Sequence, residues 1–116
     1  MTRLADLHAS AFVLRIRDGQ VDEYRRRHAE IWPEMLAALR GAGVVHYDIH
    51  LNAEARRVYG HMLRTAPPDP SQPEDPVILR WRVFMSDVLE MDGDQPRRES
   101  IERVFHMTAG ADGHED

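Results

Sequence analysis

The spacing of apolar residues along this chain switches between two and three-to-four, and the order of those switches constrains the fold more than any other feature. In SAFVLRIR (10–17), Phe12, Leu14 and Ile16 fall at every second position, as in a strand with one buried face. Asp18 and Gly19 supply a turn, and from Val21 the spacing becomes helical: Val21, Tyr24 and His28 lie three and four apart, and Met35, Leu36 and Leu39 extend the apolar set. Pro33 removes a backbone donor and biases Trp32 away from helical angles, so the helix is predicted to break or kink near Ile31 and Trp32, and Gly41 and Gly43 stop it. VVHYDIHL (44–51) alternates Val45, Tyr47, Ile49 and Leu51 against Val44, His46, Asp48 and His50; NAEAR turns it into RVYGHML (57–63), a hairpin. RTAPPDPSQPED (64–75) carries Pro67, Pro68, Pro70 and Pro73 with few apolar residues, and reads as a loop. PVILRWRVFMSDVLEM (76–91) returns to helical length, with Pro76 in the first turn and an inner stripe of Val77, Trp81, Phe84, Met85 and Val88. ESIERVFHM (99–107) reads as a last strand, and the small, charged stretch after Thr108 as a disordered tail.

The order is β-α-β-β-α-β, which predicts an α+β, ferredoxin-like sandwich: a four-stranded antiparallel sheet with two helices on one face, the unit of dimeric α+β barrels. The chain has 116 residues, enough for one domain (1–108) followed by the tail (109–116). The face away from the helices is either wet or covered, and a homodimer would cover residues of the Phe12 or Tyr59 kind. A net charge of −5 argues against nucleic acid. The absence of cysteine excludes disulfides, thiolate catalysis and cysteine-ligated metal, and points to the cytoplasm. No signal-like h-region and no apolar run of membrane-spanning length are present, so no membrane partner is expected.

Chemistry concentrates in EYRRRHAEIWPE (23–34). Tyr24 and His28, four apart, share the helix face that Val21 turns toward the sheet, and Tyr47 lies on the apolar side of its strand, so the three can converge between helix and sheet. A histidine near neutrality can accept and donate protons, phenol hydroxyls can hold polar groups of a ligand, and an indole such as Trp81 can offer a flat apolar face or simply pack in the core. Trp32 reads as packing, and Arg25, Arg26 and Arg27 as a solvated face with at most one arginine turned inward. Glu34 either orients His28 or caps the helix restarting at Pro33. A rival constellation is His46, Asp48 and His50 with His61 from the hairpin partner. Same-face residues along a strand are roughly 6–7 Å apart, too far to converge on one ion without a bend, so these residues read as a polar face or dimer contact and no metal ligand is assigned.

EYRRRHAEIWPEMLAALRGAGVVHYDIHL, followed by RWRVFMSDVLEM and ERVFHM, resembles the L-rhamnose mutarotase family over most of the chain. The resemblance implies a sugar mutarotase acting on L-rhamnose or a close 6-deoxy sugar, with His28 as the acid/base, Tyr24 and Tyr47 contacting the sugar, and Trp81 at the first of two adjacent tryptophan positions. Arg82 stands at the second, a charged fork in place of an aromatic plate, favouring a more polar or anionic ligand. It also implies a monosaccharide partner, a homodimer, and no cofactor or metal. The alternative reading is a cofactor-free oxygenase or small-ligand-binding module of the dimeric α+β barrel type.

Overall fold

The computed structural model describes residues 6–109. In chain order these form β1 (His8–Arg15), α1 (Val21–Ala29), α2 (Pro33–Gly41), β2 (Val44–Asn52), β3 (Arg57–Arg64), α3 (Pro76–Phe84), a 3₁₀ turn (Met85–Asp87), the two-residue strands β4 (Met91–Asp92) and β5 (Gln95–Pro96), and β6 (Arg98–Ser100). β2, β3, β1 and β6 make one sheet in that order, antiparallel throughout, and β4 with β5 form a small separate ribbon. This is the ferredoxin-like arrangement, with the first helix split in two at Trp32–Pro33: Trp32 has extended angles (φ −63°, ψ 131°) and Pro33 starts α2.

The core lies between the helices and one sheet face. Phe12, Leu14, Ile16 and Val58 from the strands meet Tyr24 from α1 and Met85, Val88 and Leu89 from the segment after α3. Gly60 makes this packing possible at the centre of the sheet. It is paired with Phe12 on one side and Ile49 on the other, and a Cβ there would overlap the Phe12 ring, so the ring lies on bare backbone. Phe12 is thus buried under the helices and needs no partner molecule, unlike Tyr59, which is 40% exposed on the opposite face.

Four expectations are corrected. Val44, not Val45, is buried (8% against 56% exposed), because a bulge between Val44 and His46 shifts the alternation of β2 by one residue at its start. The last helix ends at Phe84 instead of continuing to Met91, since the end of β1 captures the following backbone: Arg17 N–H donates to Val88 O (2.8 Å), Glu90 N–H to Arg15 O (2.9 Å), and Ile16 bridges Leu89. Phe84, expected on the inner stripe, is accordingly half out. The final strand is Arg98–Ser100 only. Beyond it, Ile101, Val104, Phe105 and Met107 lie exposed, because β6 pairs with β1 only at Phe12 to Leu14 and these residues meet no second layer. The predicted tail lies, apart from Ala109, outside the described residues.

Candidate active site

A cavity of about 910 Å³ opens between the helices and the sheet, within the usual range for small-molecule sites. Tyr24 and His28 enter it from α1, Tyr47 from β2, Trp81 and Arg82 from α3, and Phe12 from β1. All five candidate residues named from the sequence therefore line one space. Four of them do so by three routes, the four-residue step on α1, the inward alternation of β2 after its bulge, and the inner stripe of α3 at Trp81; Arg82 reaches the cavity from beside that stripe.

The aromatic groups interlock. His28 stacks on Tyr24 (ring centroids 4.3 Å) and meets Trp81 edge-on (5.5 Å), and Trp81 meets Trp32 edge-on at 5.0 Å. Trp32 does not line the cavity; with Phe84 (5.2 Å) it backs Trp81 from behind, a packing role as the sequence suggested. Arg27 is the one arginine of its run turned inward. Its guanidinium lies over the Phe84 ring (4.4 Å) and donates to Phe84 O (2.6 Å), to the Asp87 carboxylate (2.8 and 3.2 Å) and to Glu23 (2.7 Å). It ties α1 to the end of α3 one residue away from His28, which holds the imidazole in register with Trp81.

His28 Nδ1 sits 3.2 Å from the backbone O of Tyr24, one turn earlier. A carbonyl only accepts, so Nδ1 carries the proton and Nε2 is left as a lone-pair acceptor. Burial lowers the pKa of His28 from its ordinary value, and the bond to Tyr24 opposes this only in part, so the ring is neutral at neutral pH. Burial raises both phenols: Tyr24, with a smaller contribution from nearby Tyr47, well above the usual tyrosine value, and Tyr47 up to about 12. Both stay protonated near neutrality and can donate or accept a hydrogen bond. His28 is thus the member of this aromatic group suited to move a proton near neutrality.

Arg82 differs from its expected part as an open fork. It lines the cavity, but its two guanidinium nitrogens grip the two carboxylate oxygens of Glu74 (2.9 and 2.7 Å), leaving only its flank toward a ligand. That pair pins the proline-rich loop, and Pro67, Pro68, Asp69, Gln72 and Pro73 form a wall of the cavity. Asp75 closes the loop by capping α3, accepting from Val77 N–H at 2.8 Å. Sequence reasoning left this wall unassigned. It also missed Arg98, whose guanidinium lies 4.5 Å over the Phe12 ring at the cavity edge. The inward alternation of Arg98 with Ser100 is too short a pattern to read from sequence, whereas a glycine at position 60 inside a strand pattern was a legible sign of close packing.

A ferredoxin-like chain with a half-buried histidine, two phenols and an indole around one cavity belongs to the class of small-molecule α+β proteins whose site lies between sheet and helices. Residues 9–107 match the family model described as L-rhamnose mutarotase. Curated L-rhamnose mutarotases from Jannaschia sp. (strain CCS1) and Rhizobium johnstonii are 42% and 38% identical over 101 and 103 residues, covering 84% and 87% of this chain and 95% and 97% of those proteins. A crystal structure of L-rhamnose mutarotase from Formosa agariphila superposes with a TM-score of 0.74 at 26% identity, covering 87% of this chain and 99% of that one. The chain belongs to the L-rhamnose mutarotase family. None of these matches supports the oxygenase or binding-module alternative.

Proposed function

We propose that the protein interconverts the α and β anomers of L-rhamnose, or of a close 6-deoxy sugar, with His28 moving the proton. The observation that carries this is His28 itself: Nδ1 is committed to the Tyr24 carbonyl, which leaves Nε2 as the free lone pair of a residue lining a cavity bounded by two protonated phenols and an indole. Nε2 accepts the proton of the anomeric hydroxyl as the bond between the anomeric carbon and the ring oxygen breaks, giving the open-chain aldehyde. The ring oxygen leaves with the electron pair and takes the same proton back from Nε2. Both oxygens are bonded to the anomeric carbon, so one nitrogen reaches both. Rotation about the first carbon–carbon bond and the reverse steps close the ring on the other face, and His28 ends neutral. The proton balance closes on the side chain alone. An acid–base contribution of roughly 10² to 10⁴ suffices for a reaction that already runs unaided.

In this reading Tyr24 and Tyr47 hold sugar hydroxyls, Trp81 offers its face to the C–H side of the ring, and Arg82 acts on the ligand through its flank and through the loop that Glu74 anchors. The homodimer is part of the same proposal. Exposed Ile101, Val104, Phe105 and Met107 form an apolar arm beyond β6, and Tyr59 lies open on the outer sheet face, surfaces that a second copy would cover. We place the protein in the cytoplasm; cysteine is absent and, among the described residues, no helix is long and apolar enough to cross a membrane.

Saturation-transfer NMR on equilibrated L-rhamnose tests the function. Exchange between the α and β anomeric protons should accelerate when protein is added, and L-fucose, L-lyxose and L-mannose run beside it should rank below L-rhamnose. No acceleration for any of the four would refute the assignment.

A further inference from the structure

The sheet face turned away from the helices carries a second cluster of histidines, outside the sugar cavity. Along β2 alone, His46, Asp48 and His50 are too regularly spaced to converge. The third donor comes from the neighbouring strand instead: Asp48 is paired directly with His61 across β2 and β3, and the bulge between Val44 and His46 breaks the regular ladder beside His46. One donor atom from each of His46, Asp48 and His61 lies within 4.8 Å of the other two. His46 Nε2 is 3.3 Å from Asp48 Oδ2, and His61 Nδ1 is 4.0 Å from Asp48 Oδ1.

We propose that His46, Asp48 and His61 bind a divalent transition-metal ion of the zinc type, with two imidazoles and one carboxylate as ligands and water completing the shell. Two observations carry this independently. The first is donor chemistry and spacing. In a tetrahedral zinc site with bonds of about 2.0–2.1 Å, neighbouring donors stand about 3.3 Å apart. The present spread needs only small torsions of side chains that are each about half exposed (51%, 44% and 47%). The second is the carboxylate. Asp48 Oδ1 is shielded from solvent and accepts no hydrogen bond from the described residues, and its approach to His61 is too long for one. A cation between Asp48 and the two imidazoles satisfies that oxygen. Imidazole with carboxylate suits zinc, nickel or copper and not calcium or magnesium. His50, with Nε2 3.8 Å from Asp48 Oδ2, is a further donor on the same face. The bound ion would join β2 to β3 on the face that also carries Tyr59, so in the proposed homodimer it would sit at or beside the contact between copies; it stands on the opposite side of the sheet from His28, so the site does not depend on the mutarotase chemistry.

The test uses full-length protein without a histidine tag, stripped with EDTA and dialysed. Equilibrium dialysis against zinc with elemental analysis should give one zinc per chain at about 10 μM metal, with a higher melting temperature than the stripped protein. Asp48→Asn, which keeps the shape and removes the charge, and His61→Ala should each weaken zinc binding by about tenfold or more, while His28→Ala leaves it unchanged. Should Asp48→Asn not fold, His46→Gln and His61→Gln take its place, with circular dichroism to establish the fold. No zinc retained, or the same zinc binding in wild type and in the Asp48 and His61 variants, would overturn the site. Anomer exchange should be the same with and without zinc.

Discussion

The two faces of this sheet carry the same residue types to different ends. Between the helices and the inner face, His28 is partly withdrawn from water, stacked on Tyr24, edge-on to Trp81 and bound by one ring nitrogen to its own helix backbone. On the outer face His46, His50 and His61 surround Asp48, about half exposed or more, with no aromatic wall. Burial on the inner face lowers the pKa of one imidazole and leaves it a lone pair, the state of a base. Grouping around a carboxylate on the outer face brings donor atoms of His46, Asp48 and His61 within 4.8 Å of one another, the arrangement on which the proposed metal site rests. Residue type alone does not separate these roles; depth and neighbours do.

The sharpest test of that contrast sets one histidine against another. His28→Ala should lower anomer-exchange turnover by about 10²-fold or more, with a melting shift of only a few degrees, because what it loses in packing is two ring contacts, with Tyr24 and Trp81. His61→Ala should change turnover by less than about twofold. Equal losses from the two variants would erase the distinction between the faces.

Gly60→Ala probes how closely the inner face is fitted. An added methyl would drive the Phe12 ring out of its place against the backbone, toward Tyr47, whose ring centroid is 6.2 Å away, and into the cavity. Overpacking of this kind costs about 1–3 kcal/mol, so chemical denaturation should show a loss of that size together with a raised KM. A fully stable variant with normal KM would mean the central packing is looser than the register implies.

The pH profile sharpens the comparison further. The proposed mechanism needs neutral His28, so kcat/KM should be flat through neutrality and fall only as pH drops through the His28 value, which burial holds below the ordinary 6.5. The same shift acts on stability. Below about 6.5 the unfolded chain binds this proton more readily than the folded one, so His28's contribution, fully present above that pH, declines as pH falls toward the folded value. An activity midpoint above 6.5 would contradict a desolvated base.

The smallest expected effect belongs to the cavity wall. Arg82→Leu releases Glu74 and the proline-rich loop, and since a partly exposed ion pair is worth about 0.2–1 kcal/mol, KM should rise by about two- to fivefold with kcat nearly unchanged. A large fall in kcat would make Arg82 part of the chemistry.

Much of this arrangement was written locally. The period switches define the order of the major elements, the Trp32–Pro33 break follows from proline's missing donor and its effect on the preceding residue, and the four-residue step from Tyr24 to His28 puts both on one helix face, because each depends on residues a turn or a pleat apart. What only the tertiary structure decided depends on residues far apart in the chain. The backbone after Phe84 leaves the helix because the end of β1 offers it hydrogen bonds, and the bulge at Val44 reverses which valine is buried. Arg82 turns to Glu74 because the proline-rich loop folds back along α3. His61 comes to face Asp48 only once β2 and β3 are in register. Local backbone preference sets the elements; register, burial and long-range pairing, which no short window contains, set what each side chain meets.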